Sequence, residues 1–134
     1  MLREFQLIAR WISENYPSAK KIVEVGVGRV PHVLAELTNK LPDCELMATE
    51  VREVSAPEGV HLVRDDITDP EMDVYRGADL LFSLRTPMEL YPFLEAMARE
   101  VKSDLMVKPV SSEESPSWGE LINYSGVSFY VLRT

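Results

Sequence analysis

The sequence has few residues of the kinds that cross-link a chain or bind metals. It contains one cysteine, Cys44, and two histidines, His32 and His61, among 134 residues. One cysteine excludes an intramolecular disulfide, and the neighbouring acids Asp43 and Glu45 are expected to raise the pKa of its thiol, which predicts an inert side chain. The cysteine and the histidines lie too far apart for the ligand spacing of a zinc site, so no metal is expected.

Long apolar runs and positive charge are also scarce. The longest apolar run, around Leu80–Phe82, is far shorter than the ~20 residues of a membrane-spanning helix. Residues 1–16 include Glu4 and Glu14 among apolar side chains, which is unlike a signal peptide. The net charge of -8, from 14 Lys and Arg against 22 Asp and Glu, disfavours nucleic acid. We therefore expect a cytoplasmic protein with neither a membrane nor a nucleic-acid partner.

The composition is that of an ordinary globular protein. Hydrophobic residues make up 46% of the chain and charged residues 27%, which is typical of soluble domains. A chain of 134 residues is long enough to bury a core without disulfides or metal. We expect a single domain spanning residues 1–134.

Short apolar segments alternate with amphipathic ones, and this pattern predicts an α/β fold with a parallel sheet. Apolar residues at helical spacing predict helices at residues 2–15, from Pro31 to Leu41, and at Pro87–Val101. Buried strands are predicted at Lys21–Val25, Glu45–Thr49, Val60–Val63, Asp79–Phe82 and Leu105–Val107. Glu120–Tyr124 and Val127–Leu132 flank Ser125-Gly126 and predict an antiparallel hairpin. The predicted class is a three-layer Rossmann-like domain, with five parallel strands followed by the hairpin.

Two of the predicted connections are unusually short. Residues 51–59 join the second and third strands, and residues 109–118 join the fifth strand to the hairpin. A parallel crossover normally needs about a dozen residues or more, usually including a helix. The outer helices are therefore expected to be missing or stunted. Apolar sheet surface left uncovered near the third or fifth strand would invite self-association, for example as a homodimer.

The most informative segment is a buried strand that runs into two glycines, Gly26 and Gly28, and then into a helix. Glycines let a backbone turn sharply and approach a ligand closely, while a helix N-terminus offers free N–H groups to an anion. The full dinucleotide fingerprint would place a further glycine at position 31, which is Pro31. The segment therefore predicts a ligand cradle, with a turn that serves only packing as the alternative.

Acidic residues follow the second and third predicted strands. Glu50 lies 22 positions after Gly28, at the end of the second strand, where a carboxylate can accept hydrogen bonds from ribose hydroxyls. A solvated charge at a strand end is the alternative. Asp65 and Asp66 follow the third strand, where one acid is placed to meet an adenine amino group and the other to cap the next turn. Capping alone explains both aspartates equally well.

Four segments, spread over nearly the whole chain, carry a resemblance to known proteins: Val23–Arg29, Arg64–Asp66, Phe82–Pro87 and Leu121–Tyr124. In these segments the chain resembles class I S-adenosylmethionine-dependent methyltransferases, and more closely a small archaeal family that shares their fold. The resemblance implies the strand order 3-2-1-4-5-7-6 and S-adenosylmethionine as the cofactor. The methyltransferase pattern also has a third glycine at position 30, where this chain has Val30.

The resemblance also implies roles for individual residues, matched by motif. Glu24, Gly26 and Gly28 would surround the methionine part of the cofactor. Glu50 would bind the ribose and Asp66 the adenine. A nicotinamide or flavin cofactor stays open, because Glu50 would serve any adenosine ribose equally well.

The segment after the fourth strand does not carry a recognisable catalytic motif. Some methyltransferases that act on amino groups have Asn or Asp followed by two prolines there, whereas this chain has Ser83-Leu84-Arg85-Thr86-Pro87. Ser83, Arg85 and Tyr91 are the candidates for a base or positioning group, although an arginine cannot act as a base at ordinary pH. The catalytic residues are therefore left unassigned.

Cations follow the carboxyl ends of all five predicted parallel strands, the edge at which open α/β sheets bind ligands. They are Arg29, Arg52, Arg64, Arg85 and Lys108. Together they predict a site for an anionic substrate, with Arg29, Ser83, Arg85 and Lys108 as its candidate residues. The alternative is that they only neutralise nearby acids.

Two functions of different classes fit these patterns. The first is a small methyltransferase-like enzyme that binds S-adenosylmethionine. The second is a binding module that keeps a nucleotide or anion pocket without catalysis, as a regulatory subunit or homodimer. Both take a small-molecule ligand.

Overall fold

A computed structural model describes residues 2–111 and 114–134 of the chain. Its helices are α1 (Leu2–Asn15), α2 (His32–Lys40), α3 (Met72–Tyr75) and α4 (Tyr91–Val101), with one 3-10 turn at Met88–Leu90. Its strands are β1 (Lys21–Val25), β2 (Glu45–Glu50), β3 (Val60–Arg64), β4 (Leu80–Thr86), β5 (Asp104–Pro109), β6 (Glu120–Tyr124) and β7 (Val127–Leu132). None of these helices is long and apolar enough to cross a membrane.

The described strands form one sheet of seven strands in the order β3-β2-β1-β4-β5-β7-β6. Strands β1 to β5 pair in parallel, whereas β7 is antiparallel to both β5 and β6. The predicted fold class, the hairpin and the strand order are confirmed. The order reverses between β1 and β4, so that the loops following these two strands open a crevice at the carboxyl edge of the sheet.

Helices cover both faces of the sheet because its central strands are apolar on both faces. Ile22 and Phe82 pack with α1 and α2 in one core, and Val23 and Leu81 pack with α4 in the other. The alternation of side chains along β1 and β4 separates the two sets. In α1, the apolar stripe that includes Ile12 is fully buried, which explains why this helix forms on the sheet.

The two short connections lack crossover helices, as expected. Residues 51–59, all described, form no helix, and neither do the described residues of the 110–119 segment. Large apolar side chains are exposed where both segments begin, at Val51 and Val110. The edge strands β3 and β6 contain no buried residue, whereas four of the five residues of β1 are buried. The sheet is therefore less completely covered at its two edges than at its centre.

The structure corrects two boundaries around the fourth strand. The strand predicted to end at Phe82 continues to Thr86, where it pairs with Pro109 after a bulge between Leu84 and Thr86. The helix predicted from Pro87 is a 3-10 turn followed by α4 from Tyr91. Pro87 has an extended backbone, with a ψ of 140°, and so lies outside the helix.

Candidate functional site

A cavity of about 550 Å³ opens at the carboxyl edge of the sheet, where the strand order reverses. Its size is within the range of small-molecule and cofactor sites. The loops after β1, β2, β3 and β4 all contribute to its wall. Seven of the residues selected from the sequence line it: Gly26, Glu50, Arg52, Asp65, Asp66, Ser83 and Arg85. The structure therefore brings these seven residues to one place.

The loop from β1 into α2 forms a tight turn through two glycines. Gly26 has a φ of 71° and Gly28 a φ of 62°, a left-handed conformation that disfavours other residues. The N–H groups of Gly26 and Val27 both donate to the Thr49 carbonyl, at 2.9 and 3.0 Å, which ties the loop to β2. A Cβ atom at Gly26 would meet no atom within 4 Å. A side chain there would project into open space in the cradle beside the loop.

Glu50 joins the glycine loop to the end of β2. Its Oε1 accepts a hydrogen bond from Gly28 N at 2.9 Å, and its Oε2 accepts bonds from the backbone N–H groups of Val51 and Arg52. Arg52 Nε adds an ion pair to Oε2 at 3.3 Å. Burial opposes ionisation of Glu50, but the N–H groups of Arg52 and Gly28 outweigh it and hold the pKa below its ordinary value. The carboxylate is ionised at neutral pH.

Glu24 is a buried acid near the end of β1, two residues before Gly26. Its side chain is 1% exposed, and its Oε1 has no hydrogen-bond partner among the described residues. Burial raises the pKa of Glu24 well above its ordinary value, while the charge of Arg85 opposes the shift. Such a group is costly unless something pairs with it. Glu24 lines a second cavity, of about 340 Å³, that shares Gly26, Arg52, Leu84 and Arg85 with the first.

Asp65 and Asp66 are both engaged by their own loop. Asp65 accepts hydrogen bonds from Glu71 N at 3.0 Å and from the hydroxyl of Tyr75 at 2.5 Å. Asp66 is exposed and accepts bonds from the backbone N–H and hydroxyl of Thr68, which hold its pKa below the ordinary value. These hydrogen bonds are those expected if the two aspartates cap their own loop. Both side chains also line the first cavity.

Ser83 and Arg85 lie close in sequence but in different surroundings. Ser83 is buried and accepts a hydrogen bond from the Thr86 hydroxyl at 2.9 Å. Arg85 lies in the bulge of β4 with a φ of 52°. Its guanidinium carbon lies 5.9 Å from the centre of the Phe5 ring of α1. Ser83 thus contributes to the first cavity alone, and Arg85 to both.

The five cations predicted at this edge do not all converge. Arg29, Arg52 and Arg85 line the second cavity. Arg64 donates to the Val51 carbonyl at 2.9 Å, and Lys108 pairs with Glu4 of α1 at 3.0 Å. The structure therefore does not bring Lys108 to either of these cavities.

Several lining residues were missed by sequence reasoning. Thr49, Ile67 and Leu90 line the first cavity, and Phe5 lines the second. Ile67 directly follows Asp66, so its position after a parallel strand was the signal available for it. The sequence indicates only that Phe5 is a core residue of a helix. Its contact with the site depends on how α1 packs, which the sequence does not show.

Residues 5–134 match the family described as "Uncharacterised protein family (UPF0146)". The chain belongs to the UPF0146 family. A UPF0146 protein of Archaeoglobus fulgidus is 39% identical over 126 residues, which cover 94% of this chain and 92% of the relative. One from Methanothermobacter thermautotrophicus is 36% identical over 112 residues, which cover 82% of this chain and 80% of the relative. These relatives are archaeal, which confirms the suspected membership.

Solved structures that resemble this UPF0146 chain include methyltransferases. The N-terminal domain of EvdMO1 with SAH bound has a TM-score of 0.61 and 19% identity, covering 78% of this chain and 48% of that one. The sugar N-methyltransferase KedS8 from a Streptoalloteichus species has a TM-score of 0.59 and 21% identity, covering 89% of this chain and 52% of that one. At these identities the likeness shows the fold. The UPF0146 chain spans about half the length of these solved chains.

Proposed function

We propose that the first cavity and the adjoining glycine loop bind S-adenosylmethionine. Glu50 would accept the ribose hydroxyls, and the loop around Asp66 would lie against the adenine. Gly26 and Gly28 would border the methionine part, with Glu24 facing its amino group. S-adenosylhomocysteine would bind in the same way.

The unpartnered carboxyl of Glu24 is the observation that carries this proposal. A buried acid with one oxygen lacking a partner fits a ligand that brings a cation, because an ammonium group would supply the missing hydrogen bond and charge. The open space at the Cβ position of Gly26 supplies room for a ligand next to the same loop. Neither feature would be expected of a turn that serves only packing.

Glu50 fits the ribose role with one adjustment. A carboxylate has about four acceptor positions, and the chain's own donors place three bonds on Oε2 but only one on Oε1. Oε1 therefore retains capacity for a ribose hydroxyl. The Arg52 side chain, at 3.3 Å and largely exposed, is the donor that a second hydroxyl would displace most easily.

When bound, the cofactor would supply an electrophilic methyl group. The residues around it are suited to positioning and less to proton transfer. Ser83 is buried and already bonded to Thr86, and the hydroxyl of Tyr91 donates to the Glu114 carbonyl. The guanidinium group of Arg85 offers hydrogen-bond donors and no acceptor. Any methyl transfer here would depend on orienting an acceptor that is itself nucleophilic.

Calorimetric titration of the whole chain tests the proposal. S-adenosylmethionine, S-adenosylhomocysteine, NAD and AMP would be titrated separately into the wild type and into Glu50→Ala. We expect micromolar binding of the first two ligands, weakened about tenfold or more by Glu50→Ala, because hydrogen bonds to a charged group are lost. Glu53→Ala, which removes the same charge from the exposed loop that follows β2, is the control, and thermal melts would verify that each variant is folded. Absence of binding by all four ligands would refute the proposal.

A second candidate is a module that binds the same ligand or an anion without catalysis and associates with itself. The observation that favours it is the engagement of Ser83 and Tyr91 in internal hydrogen bonds. The exposed apolar residues Val51 and Val110 at the two helix-free connections add surface for self-association. Ligand binding with no methyl transfer to any tested acceptor, together with a dimeric mass, would favour this candidate over the enzyme.

A further inference from the structure

The second cavity is a cationic cleft on the α1 side of the glycine loop. Three arginines, Arg29, Arg52 and Arg85, line its volume of about 340 Å³. The chain as a whole has a net charge of -8. A local concentration of guanidinium groups in an acidic protein attracts anions that the remaining surface repels.

A backbone irregularity aims Arg85 at this cleft. Leu81 and Ser83 of β4 face the α4 side of the sheet, and regular alternation would send Arg85 to that side as well. The bulge between Leu84 and Thr86 instead leaves Arg85 beside Phe5 of α1. Bulges commonly redirect a side chain near a binding site. The left-handed φ of 52° is unfavourable for an arginine, so its orientation is obtained at the expense of stability.

The charges of Arg29 and Arg85 are not balanced by internal ion pairs. Within residues 2–111 and 114–134, neither side chain has a carboxylate within salt-bridge distance, whereas Arg52 is paired with Glu50. The acid in the cleft wall, Glu24, is buried. Burial raises the pKa of Glu24 well above its ordinary value, which favours the uncharged form and weakens its ability to neutralise Arg85.

We propose that Arg29 and Arg85 form a binding site for an anionic group, a carboxylate or a phosphate, in the cleft next to Glu24. Arginine presents a planar fork of donors that matches both groups. Two sources would bring such a group. One is the carboxylate of the amino-acid end of the proposed cofactor, and this source rests on the proposed function. The other is a separate anionic acceptor or effector.

The test compares Arg85→Gln and Arg29→Gln with the wild type. Arg99→Gln is the matched control, because it removes one positive charge from α4 outside both cavities. Inorganic phosphate binding would be followed by phosphorus NMR, with and without S-adenosylhomocysteine. S-adenosylhomocysteine and 5′-methylthioadenosine, which lacks the amine and the carboxylate, would be titrated by calorimetry.

A cofactor carboxylate in the cleft would make both cleft variants bind S-adenosylhomocysteine about tenfold more weakly and leave 5′-methylthioadenosine unaffected. A separate anion would give phosphate binding that persists with S-adenosylhomocysteine present and is weakened in both variants. Either result supports the anion site. Equal phosphate and S-adenosylhomocysteine affinities in both cleft variants, the control and the wild type would overturn it.

The outcome is separable from that of the proposed function. If no adenosine ligand binds but phosphate binds to the wild type and not to Arg85→Gln, the anion site stands and the cofactor proposal fails. If S-adenosylhomocysteine binds equally to all variants and phosphate binds to none, the cofactor proposal stands and the anion site fails.

Discussion

At the scale of single residues, Glu24 is expected to couple binding of the proposed ligand to a proton. Its pKa is raised well above the ordinary value by burial, which favours the protonated form in the free protein. An ammonium group beside it would favour the ionised form, and the proton would leave. We predict that binding of S-adenosylhomocysteine releases a proton. Calorimetry in two buffers of different ionisation enthalpy would measure this release.

Two comparisons make the proton-release experiment decisive. 5′-Methylthioadenosine brings no ammonium group and should release no proton, and Glu24→Gln has no proton to lose. Proton release that is the same for both ligands, or that persists in Glu24→Gln, would mean that the amino group lies elsewhere.

The same acid should also shape stability against pH. Because the pKa of Glu24 is raised in the folded protein, the pH-dependent cost of burying it is absent below the unfolded pKa and grows as pH rises toward the folded pKa. We predict that Glu24→Gln becomes more stable relative to the wild type, in free energy of unfolding, as pH rises above the pKa of about 4.3 of an unfolded glutamate. Urea unfolding at several pH values would measure the difference.

The contribution of Glu50 to stability should depend on pH in the opposite direction, which makes it an internal comparison for Glu24. Its pKa is lowered in the folded protein, so it contributes stability above the unfolded pKa that is lost as pH falls through the folded value. Glu50→Gln should therefore lose stability relative to the wild type at neutral pH and approach it in acid. Parallel pH trends for the two variants would contradict the assigned environments.

The location of a residue could be predicted where its position in the sequence alone determines its place in the fold. Glu50 ends a parallel strand and Gly26 lies in the turn after a strand, so the pattern placed both at the edge of the sheet where the cavity lies. The direction of the Arg85 side chain depends on a bulge in the pairing of β4 with β5, and no local sequence pattern reveals this bulge. Glu24 was selected through resemblance, but its missing partner is a property of the packed core.

At the scale of elements, α4 ends at a residue with a strained backbone conformation, which a substitution can relieve. Lys102 follows the helix with a φ of 59°, and its N–H donates to the Ala98 carbonyl. Glycine adopts this conformation without the steric cost that a side chain incurs. We predict that Lys102→Gly raises the free energy of unfolding by about 0.5–1 kcal/mol, measured by urea unfolding. Lys102→Ala, which keeps a Cβ, should change it little, and an equal gain in both variants would rule out strain relief.

Elements with a strong periodic pattern were predicted well, and short ones were not. The strands β1, β6 and β7 and the helix α1 have the predicted boundaries. Burial dictates the apolar spacing of β1 and α1, whereas β6 and β7 are delimited by the hairpin turn at Ser125-Gly126. The helix α3 has four residues, too few for a 3.6-residue period to be visible. Its Tyr75 nevertheless anchors Asp65, so a site contact came from an element that the sequence did not reveal.

At the scale of the whole molecule, the incomplete cover of the sheet leads us to predict that the chain self-associates. Leu121 lies on the edge strand β6 and is 58% exposed, and an exposed apolar edge strand is prone to pair with another chain. We predict a light-scattering mass of two chains at micromolar concentration. Leu121→Lys should shift it toward one chain, whereas Phe93→Lys on α4 serves as the control. A mass of one chain for the wild type would contradict self-association.

The order of the strands in the sheet also determines which strand pairs can form while the chain is still being synthesised. Strand β7 lies between β5 and β6 in the sheet although it is the last of the described strands in the sequence. The strands whose loops line the first cavity, β1 to β4, are translated earlier. Until residue 132 has emerged, β5 lacks its antiparallel neighbour, so a nascent chain that had already assembled β1 to β5 would have an open sheet edge close to the first cavity.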